Sequence, residues 1–345
     1  MTHILFRVDA GPNVGLGHLQ RCMSLAKALE TLDLDSVFLT NNHSETIGII
    51  QRFGFEAFEL RIADPWGNED SMTTIELASQ HDCGAIVIDS YMAGNEDMSH
   101  VCKDSFVTCV IDDLASYTYP CQIVVNGNLN ANELPYVSTC RDTQFVLGPE
   151  YLMLRQEFWD KSNFFVRATV HNILVVLGGS DPYGLMPSIL NMLDDMQYDF
   201  VINAIIGPFA ENEHNLKQIV DKSRHSISLF RAPDRIQELM LQADLAISAG
   251  GQTLYELLRV GCPTVAVEVA LNQKKQLEAL VELGCLHTIC NAADNSVVSS
   301  IAKSVHFLLS DYQLRSSMSN LGQQLLDGQG ALRVANLLKS AIREL

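Results

Sequence analysis

Short runs of β-branched and aliphatic residues alternate along the chain with stretches whose apolar residues recur every three or four positions. In the first half, residues 4–8, 36–40, 56–60, 85–89, 107–111, 122–126 and 145–147 read as strands, with helices at 19–31, 45–53 and 72–81. In the second half, strands at 172–177, 200–206, 227–230, 245–248 and 264–268 alternate with helices at 185–194, 211–222, 234–241, 253–260 and 273–283. Residues 297–345 read as helical, with one interruption near 328–330. Such alternation predicts βαβ units, and so mostly parallel sheets covered by helices on both faces. The rhythm breaks over residues 148–170, which divides the chain into an expected first domain, 1–155, and second domain, 156–345. The final helix is free to pack back on the first domain.

Ligands of parallel sheets bind at the carboxyl ends of the strands, so the residues that follow each strand carry the chemistry. The first strand runs into Gly11, Gly15 and Gly17, and a helix begins near His18 with Leu19, Cys22, Met23 and Ala26 on one face. Unpaired N–H groups and a positive dipole end favour an anion there. A titratable imidazole beside an anionic substrate is suited to proton transfer. The glycines equally serve as a plain turn, and His18 as a plain helix start. The stretch is not a dinucleotide fingerprint, because Gln20 stands where the third glycine belongs. Nor is it a P-loop, since no Gly-Lys-Ser/Thr follows. Asp9, Asp89-Ser90-Tyr91 and Asp112-Asp113 end other strands of this half. The two adjacent aspartates fit a turn and helix cap better than a metal site, because spacing supplies no third ligand.

Two glycine pairs end strands in the second half: Gly178-Gly179-Ser180-Asp181 and Ser248-Ala249-Gly250-Gly251, the latter followed by Thr253 and Glu256. Each aims helix N–H groups at a strand end, an arrangement suited to a diphosphate. Thr253 is placed to cap the helix or bond a phosphate oxygen. Glu256, one turn along, is placed to reach a ribose or to stand as a surface charge.

Composition narrows the partners. A net charge of −18 argues against nucleic acid and anionic membrane surfaces. No apolar run approaches the roughly eighteen residues of a membrane span, and the N-terminus lacks a signal-peptide pattern. Nine dispersed cysteines without a Cys-x-x-Cys pair read as reduced core thiols of a cytoplasmic protein. The histidines show no zinc spacing, and no metal or cofactor is expected.

Several stretches resemble the UDP-sugar hydrolases of the pseudaminic acid pathway. They are Arg7-Val-Asp9, Gly15-Leu-Gly-His-Leu-Gln-Arg-Cys22, Asp89-Ser-Tyr91, Ile111-Asp-Asp113, Leu147-Gly-Pro-Glu-Tyr-Leu-Met-Leu-Arg155, Gly178-Gly-Ser-Asp181, Ser248-Ala-Gly-Gly-Gln-Thr-Leu-Tyr-Glu256 and Asn272-Gln273. They cover nearly the whole chain in the family's order. That family acts on UDP-2,4-diacetamido-2,4,6-trideoxy-β-L-altropyranose and resembles the GT-B glycosyltransferases of lipid II synthesis. The resemblance implies two Rossmann-like domains facing across a cleft, with closure around the substrate. It makes His18 the base, places Tyr91 on the sugar side, and counts Asp9, Gly15, Gly17 and Arg21 among the substrate-binding residues. It puts Gly250, Gly251 and Thr253 near the diphosphate, Glu256 at the ribose, and Asn272 and Gln273 in the cleft, with Gly178, Gly179, Ser180 and Ser248 also binding the substrate. Where many members carry a small pair and Ile before the Gly-x-Gly-His, this chain has Gly11-Pro12-Asn13-Val14, a loop expected to touch the sugar.

The reaction so implied is attack of a water, deprotonated by His18, on the anomeric carbon, with UDP leaving and the configuration inverted. Asp9 or a backbone carbonyl would fix the imidazole tautomer. Two other functions fit the same fold: a glycosyltransferase with a non-water acceptor, and a non-catalytic nucleotide-sugar binding protein. An acidic first domain without a basic amphipathic segment disfavours a lipid acceptor, and the intact His18 motif disfavours the binding protein.

Overall fold

The computed structural model describes residues 2–11, 14–41, 44–62, 65–102, 105–210 and 213–345. The chain separates into two compact units, Met1–Gln156 with Gly328–Leu345, and Glu157–Asp327.

Unit 1 is built on β1 (His3–Val8), β2 (Asp35–Asn41), β3 (Glu56–Leu60), β4 (Cys83–Asp89), β5 (Val107–Ile111), β7 (Ile123–Asn126) and β9 (Gln144–Leu147). A separate short pair consists of β6 (Thr118–Tyr119) and β8 (Val137–Ser138). Helices α1 (Gly17–Glu30), α2 (Ser44–Arg52), α3 (Asn68–Gln80) and α4 (Asn95–Val101) connect the strands. The order of the main sheet is β3-β2-β1-β4-β5-β7-β9, and every pairing is parallel. β1 therefore lies between strands whose connections run in opposite directions, and loops leaving β1 and β4 part to opposite faces. A crevice at this switch point is where doubly wound sheets take ligands. α1 starts there because Leu19, Cys22, Met23, Ala26 and Leu29 form a fully buried stripe against the sheet.

Unit 2 repeats the plan. Its strands are β10 (Asn172–Val176), β11 (Val201–Ile206), β12 (Ile227–Arg231), β13 (Leu245–Ala249), β14 (Thr264–Glu268) and β15 (Ile289–Asn291), ordered β12-β11-β10-β13-β14-β15 and all parallel. Helices α5 (Met186–Asp194), α6 (Glu213–Lys222), α7 (Ile236–Gln242), α8 (Gln252–Val260), α9 (Lys274–Glu282), α10 (Val297–Ser310) and α11 (Tyr312–Leu325) surround it. Residues 211 and 212 of the expected helix 211–222 lie outside the described residues. Two arginines organise the irregular stretch after residue 157, whose carbonyls need partners. Arg259 donates to the carbonyls of Phe158 and Trp159, and the buried Arg315 to those of Arg167 and Ala168.

The last helix, α12 (Gly330–Glu344), belongs to unit 1, where it packs on α1, β4 and β5. Gly330 makes this possible, because a Cβ there would lie 2.2 Å from the carbonyl oxygen of Leu152. Four short elements escape sequence periodicity. α4 has only Met98 and Val101 as buried anchors, β15 is three residues long, and β6 and β8 have two residues each.

Gly330→Ala is predicted to destabilise unit 1 by about 1–3 kcal/mol, since backbone rather than a side chain must yield. Gly48→Ala, inside α2 with open space around its Cβ, is predicted to stabilise by about 0.5–1 kcal/mol. Urea midpoints of the two variants moving in opposite directions would bear this out, and a downward shift in both would refute it.

Candidate active site

His18 is the second residue of α1, and Asp89 is the last residue of β4, paired in register with Val8 of β1. The switch point thus brings them together, and His18 Nδ1 is hydrogen-bonded to Asp89 Oδ1. One turn further along α1, the Arg21 guanidinium reaches the same carboxylate, Nε to Oδ2 at 2.6 Å and Nη2 to Oδ1 at 2.7 Å. Its remaining nitrogen, Nη1, donates to both oxygens of Asp113, at 2.8 and 2.9 Å. Asp113 also accepts from the Tyr91 hydroxyl at 2.6 Å and from Asn128 Nδ2 at 2.7 Å. The Tyr91 ring stands edge-on to the imidazole, with centroids 4.4 Å apart and planes at 81°. One guanidinium therefore joins α1 to the ends of β4 and β5.

These groups are largely buried, with side-chain exposures of 6% for His18, 0% for Asp89, 16% for Arg21 and 11% for Asp113. Burial alone would raise the Asp89 carboxyl, but the charge of Arg21 and then the His18 contact hold it far below the usual carboxylate range. Asp113 is likewise lowered, by Arg21 against burial. Burial and Asp113 push the Tyr91 phenol well above its ordinary value. Burial and Asp89 do the same for the Cys22 thiol, whose Sγ lies 3.4 Å from Asp89 Oδ2. Cys22 is thus no nucleophile. An ionised carboxylate only accepts hydrogen bonds, so Nδ1 of His18 carries a proton toward Asp89, and in the neutral imidazole Nε2 holds the lone pair. Among the described residues Nε2 has no hydrogen-bond partner.

Asp9 lies one layer deeper. Its Oδ1 accepts from Arg7 Nη1 at 2.8 Å, and its Oδ2 from Trp66 Nε1 at 2.7 Å and from the Ser90 hydroxyl. The imidazole is oriented by Asp89, not by Asp9 or a backbone carbonyl. Arg7, itself bound to both oxygens of Asp70, stacks 4.3 Å above the Trp66 ring. Trp66 has φ 67°, a strained value for a bulky residue, and is held there by its bonds to Asp9 and Asp70. This buried network anchors Ser90, between Asp89 and Tyr91. Asp112 and Asp113 part company: Asp112 accepts from the N–H groups of Leu114 and Ala115 and from Tyr136, while Asp113 faces Arg21. Gly15 has φ 83° and needs to be glycine, whereas Gly17 has open space at its Cβ and ordinary backbone angles. Of the expected sugar loop, Pro12 and Asn13 lie outside the described residues.

In unit 2 the two glycine loops follow β10 and β13, again the switch-point strands. Gly178 has φ 78°, and the Gly179 carbonyl accepts from Phe209 N at 3.0 Å. Gly207, which the sequence pattern does not single out, permits this contact, since a Cβ there would lie 2.2 Å from Gly179 O. Asp181 accepts from the N–H groups of Leu185 and Met186 and so caps α5. A small cavity lined by Gly178, Ser180, Asp181, Met186, Ile205 and Gly207 lies at this end of the sheet. On the second loop, a Cβ at Gly250 would lie 2.8 Å from Leu277 Cδ1, a side-chain end that would have to move. Gly251 caps α8 without a side chain, beside the partly exposed Thr253. Gln273 bonds Val269 N through Oε1, and Asn272 is exposed next to it. Ser248 and Glu256 are buried instead, at 0% and 1% exposure, and the Ser248 hydroxyl donates to Ala249 O. Glu256 is therefore no surface charge, since residues 254–260 of this helix are all buried.

The family model described as glycosyltransferase family 28 C-terminal domain matches residues 173–323, within unit 2. An uncharacterized protein of Methanocaldococcus jannaschii, MJ1062, is 28% identical over 75% of this chain, which spans only 54% of that relative's length. Spore coat polysaccharide biosynthesis protein SpsG of Bacillus subtilis is 25% identical over 98% of both chains. The UDP-2,4-diacetamido-2,4,6-trideoxy-β-L-altropyranose hydrolase of Campylobacter jejuni is 22% identical over 81% of this chain and 97% of its own. Among solved structures, MurG of Acinetobacter baumannii superposes with a TM-score of 0.67 at 14% identity, covering 99% of this chain and all of that one. The S. aureus MnaA–UDP co-structure gives 0.66 at 13%, covering 100% and 98%. The fold is that of the GT-B glycosyltransferases, with two α/β units on parallel sheets.

The Asp89 and Asp113 carboxyls protonate at lower pH in the folded chain than in the unfolded chain, where aspartate titrates near pH 3.9. Their pairing thus stabilises fully above about pH 5 and is lost as pH falls through the folded values. The melting temperature is predicted to hold from pH 7 to about 5 and to fall below about pH 4, less steeply in Asp113→Asn. An equally steep fall in that variant would contradict the assignment.

Proposed function

We propose that the protein hydrolyses a UDP-linked sugar, breaking the bond between the anomeric carbon and the diphosphate oxygen. The substrate we propose is UDP-2,4-diacetamido-2,4,6-trideoxy-β-L-altropyranose, as in the Campylobacter jejuni relative. The observation that carries the reading is the His18–Asp89 pair at the switch point of unit 1. It leaves the proton on Nδ1 and a basic Nε2 on a helix whose preceding glycines allow close approach.

In the proposed reaction, His18 Nε2 takes a proton from a water as that water's oxygen attacks the anomeric carbon. The carbon–oxygen bond to the diphosphate breaks, its electron pair leaves with UDP, and the sugar inverts. Asp89 keeps the Nδ1 proton and faces the imidazolium that forms. In unit 2 the backbone N–H groups at Gly178-Gly179 and at the start of α8 are proposed to take the diphosphate charge. Thr253, Asn272 and Gln273 stand beside the second loop, with Asn272 exposed and Thr253 and Gln273 partly so. Ser248 and Glu256, being buried, are proposed to shape that loop from beneath. Asp9 and Arg21 are proposed to act through their neighbours and Tyr91 to wall the sugar side.

A transferase reading has its own support in the glycosyltransferase model over residues 173–323 and the likeness to MurG. The two differ in the acceptor, and one experiment separates them. UDP release from the proposed donor is measured without acceptor, in water enriched in heavy oxygen. The expected result is rapid release with the label in the sugar, and a kcat lower by roughly 10²–10⁴ in His18→Ala. Wild-type turnover in that variant would remove His18 from the chemistry. UDP binding without release would favour the transferase.

A further inference from the structure

In an ordinary histidine–aspartate dyad the carboxylate is the counter-charge of the imidazolium. Here Arg21 already occupies both oxygens of Asp89, which cancels that charge. A second carboxylate, Asp113, sits on the far side of the same guanidinium and receives two of its hydrogen bonds. With His18 neutral, Asp89, Arg21 and Asp113 sum to one negative charge. With His18 protonated they sum to zero.

We propose that Arg21 and Asp113 are paired positioning residues that set how readily the His18–Asp89 dyad takes up a proton: Asp113 restores the counter-charge that Arg21 removes. The proposal rests on reading His18 as the base. The surroundings leave the tuning to this pair. From α1 the groups facing the His18–Asp89 dyad are Arg21 and Cys22, and from β4 and its loop they are Asp89 and Tyr91. From β5 they are Cys109 and Asp113. Burial raises Cys22, Cys109 and Tyr91, which stay uncharged near neutral pH. Arg7 binds both Asp9 and Asp70, and this network meets the dyad through Ser90 and through the Asp9 N–H, which donates to the Asp89 carbonyl at 3.4 Å. Tyr91 and Asn128 hold Asp113 in place, so its charge sits at a fixed distance.

The test is the pH dependence of kcat for UDP release in four variants. Asp113→Asn removes a negative charge, favours neutral imidazole, and is expected to move the acid limb of the profile down by about one pH unit. Arg21→Gln removes a positive charge and is expected to move it up by about as much. Arg21→Lys keeps the charge, so the limb stays near the wild-type position although kcat falls with the lost fork. The double variant Arg21→Gln/Asp113→Asn has the wild-type charge sum, and its limb is expected to return. Simple structural damage would lower kcat in all four without opposite shifts. If Arg21→Gln does not fold, Asp113→Asn against the double variant still decides. Shifts in one direction, or none in Asp113→Asn, overturn the proposal. His18→Ala separates the two ideas: if it is inactive while the limbs do not part, only the tuning fails, and if it stays active the base reading fails first.

Discussion

One guanidinium gripping two carboxylates is the constraint on which unit 1's site depends. Arg21 is one helical turn from His18, so whatever fixes Arg21 fixes the register of the imidazole on α1. Asp89 and Asp113 end adjacent strands, β4 and β5, and bonding both to one side chain locks those strand ends to the helix. Buried ion pairs of this kind gain little over an apolar pair of the same shape, because desolvation offsets their attraction, although losing one partner's charge is destabilising. What they supply is geometry. A single alternative placement of α1 would strand three charges in a low-dielectric interior, and that penalty selects one arrangement. The network beneath, from Arg7 through Trp66 and Asp9 to Ser90, extends the same logic to the loop that carries Tyr91.

Both units place their glycine loops where strand connections diverge, and the reason is topological. A parallel sheet that winds in both directions opens a gap at its first strand, and helix N-termini point into it. Unit 1 fills that position with an imidazole, and unit 2 with bare backbone. Gly178 is glycine because of its backbone angle, and a Cβ at Gly250 would crowd the side-chain end of Leu277. Glycines of unit 2 are therefore explained partly by folding alone, whereas Gly17 in unit 1 has no such structural need.

Alternating periodicity was enough to read the parallel sheets, since buried strands and amphipathic helices leave distinct patterns. It also placed His18 in the first turn of α1 and marked Asp89 and Asp113 as strand-end acids. Their convergence on Arg21 was not legible, because it requires β1, β4 and β5 to be neighbours, and strand order leaves no local trace. Nor was the partner of the imidazole: Asp9 is closer in sequence, yet Arg7 and Trp66 claim it. Of the two placements open to Glu256, a ribose contact or a surface charge, the surface charge is overturned, because α8 is buried from Leu254 to Val260. Gly207 left no signal because its constraint comes from the Gly179 backbone, far away in sequence.

The central claim is that Asp89 holds His18 with its proton on Nδ1, leaving Nε2 free to act as a base. The most direct measurement is a long-range nitrogen–proton correlation spectrum of the imidazole rings, with the His18 signals assigned from their absence in His18→Gln. The account predicts the Nδ1–H tautomer in the wild type above the pH at which the ring titrates, and loss of that preference in Asp89→Leu. Finding the His18 proton on Nε2 in the wild type would contradict it, because the nitrogen available to a water would then be a donor.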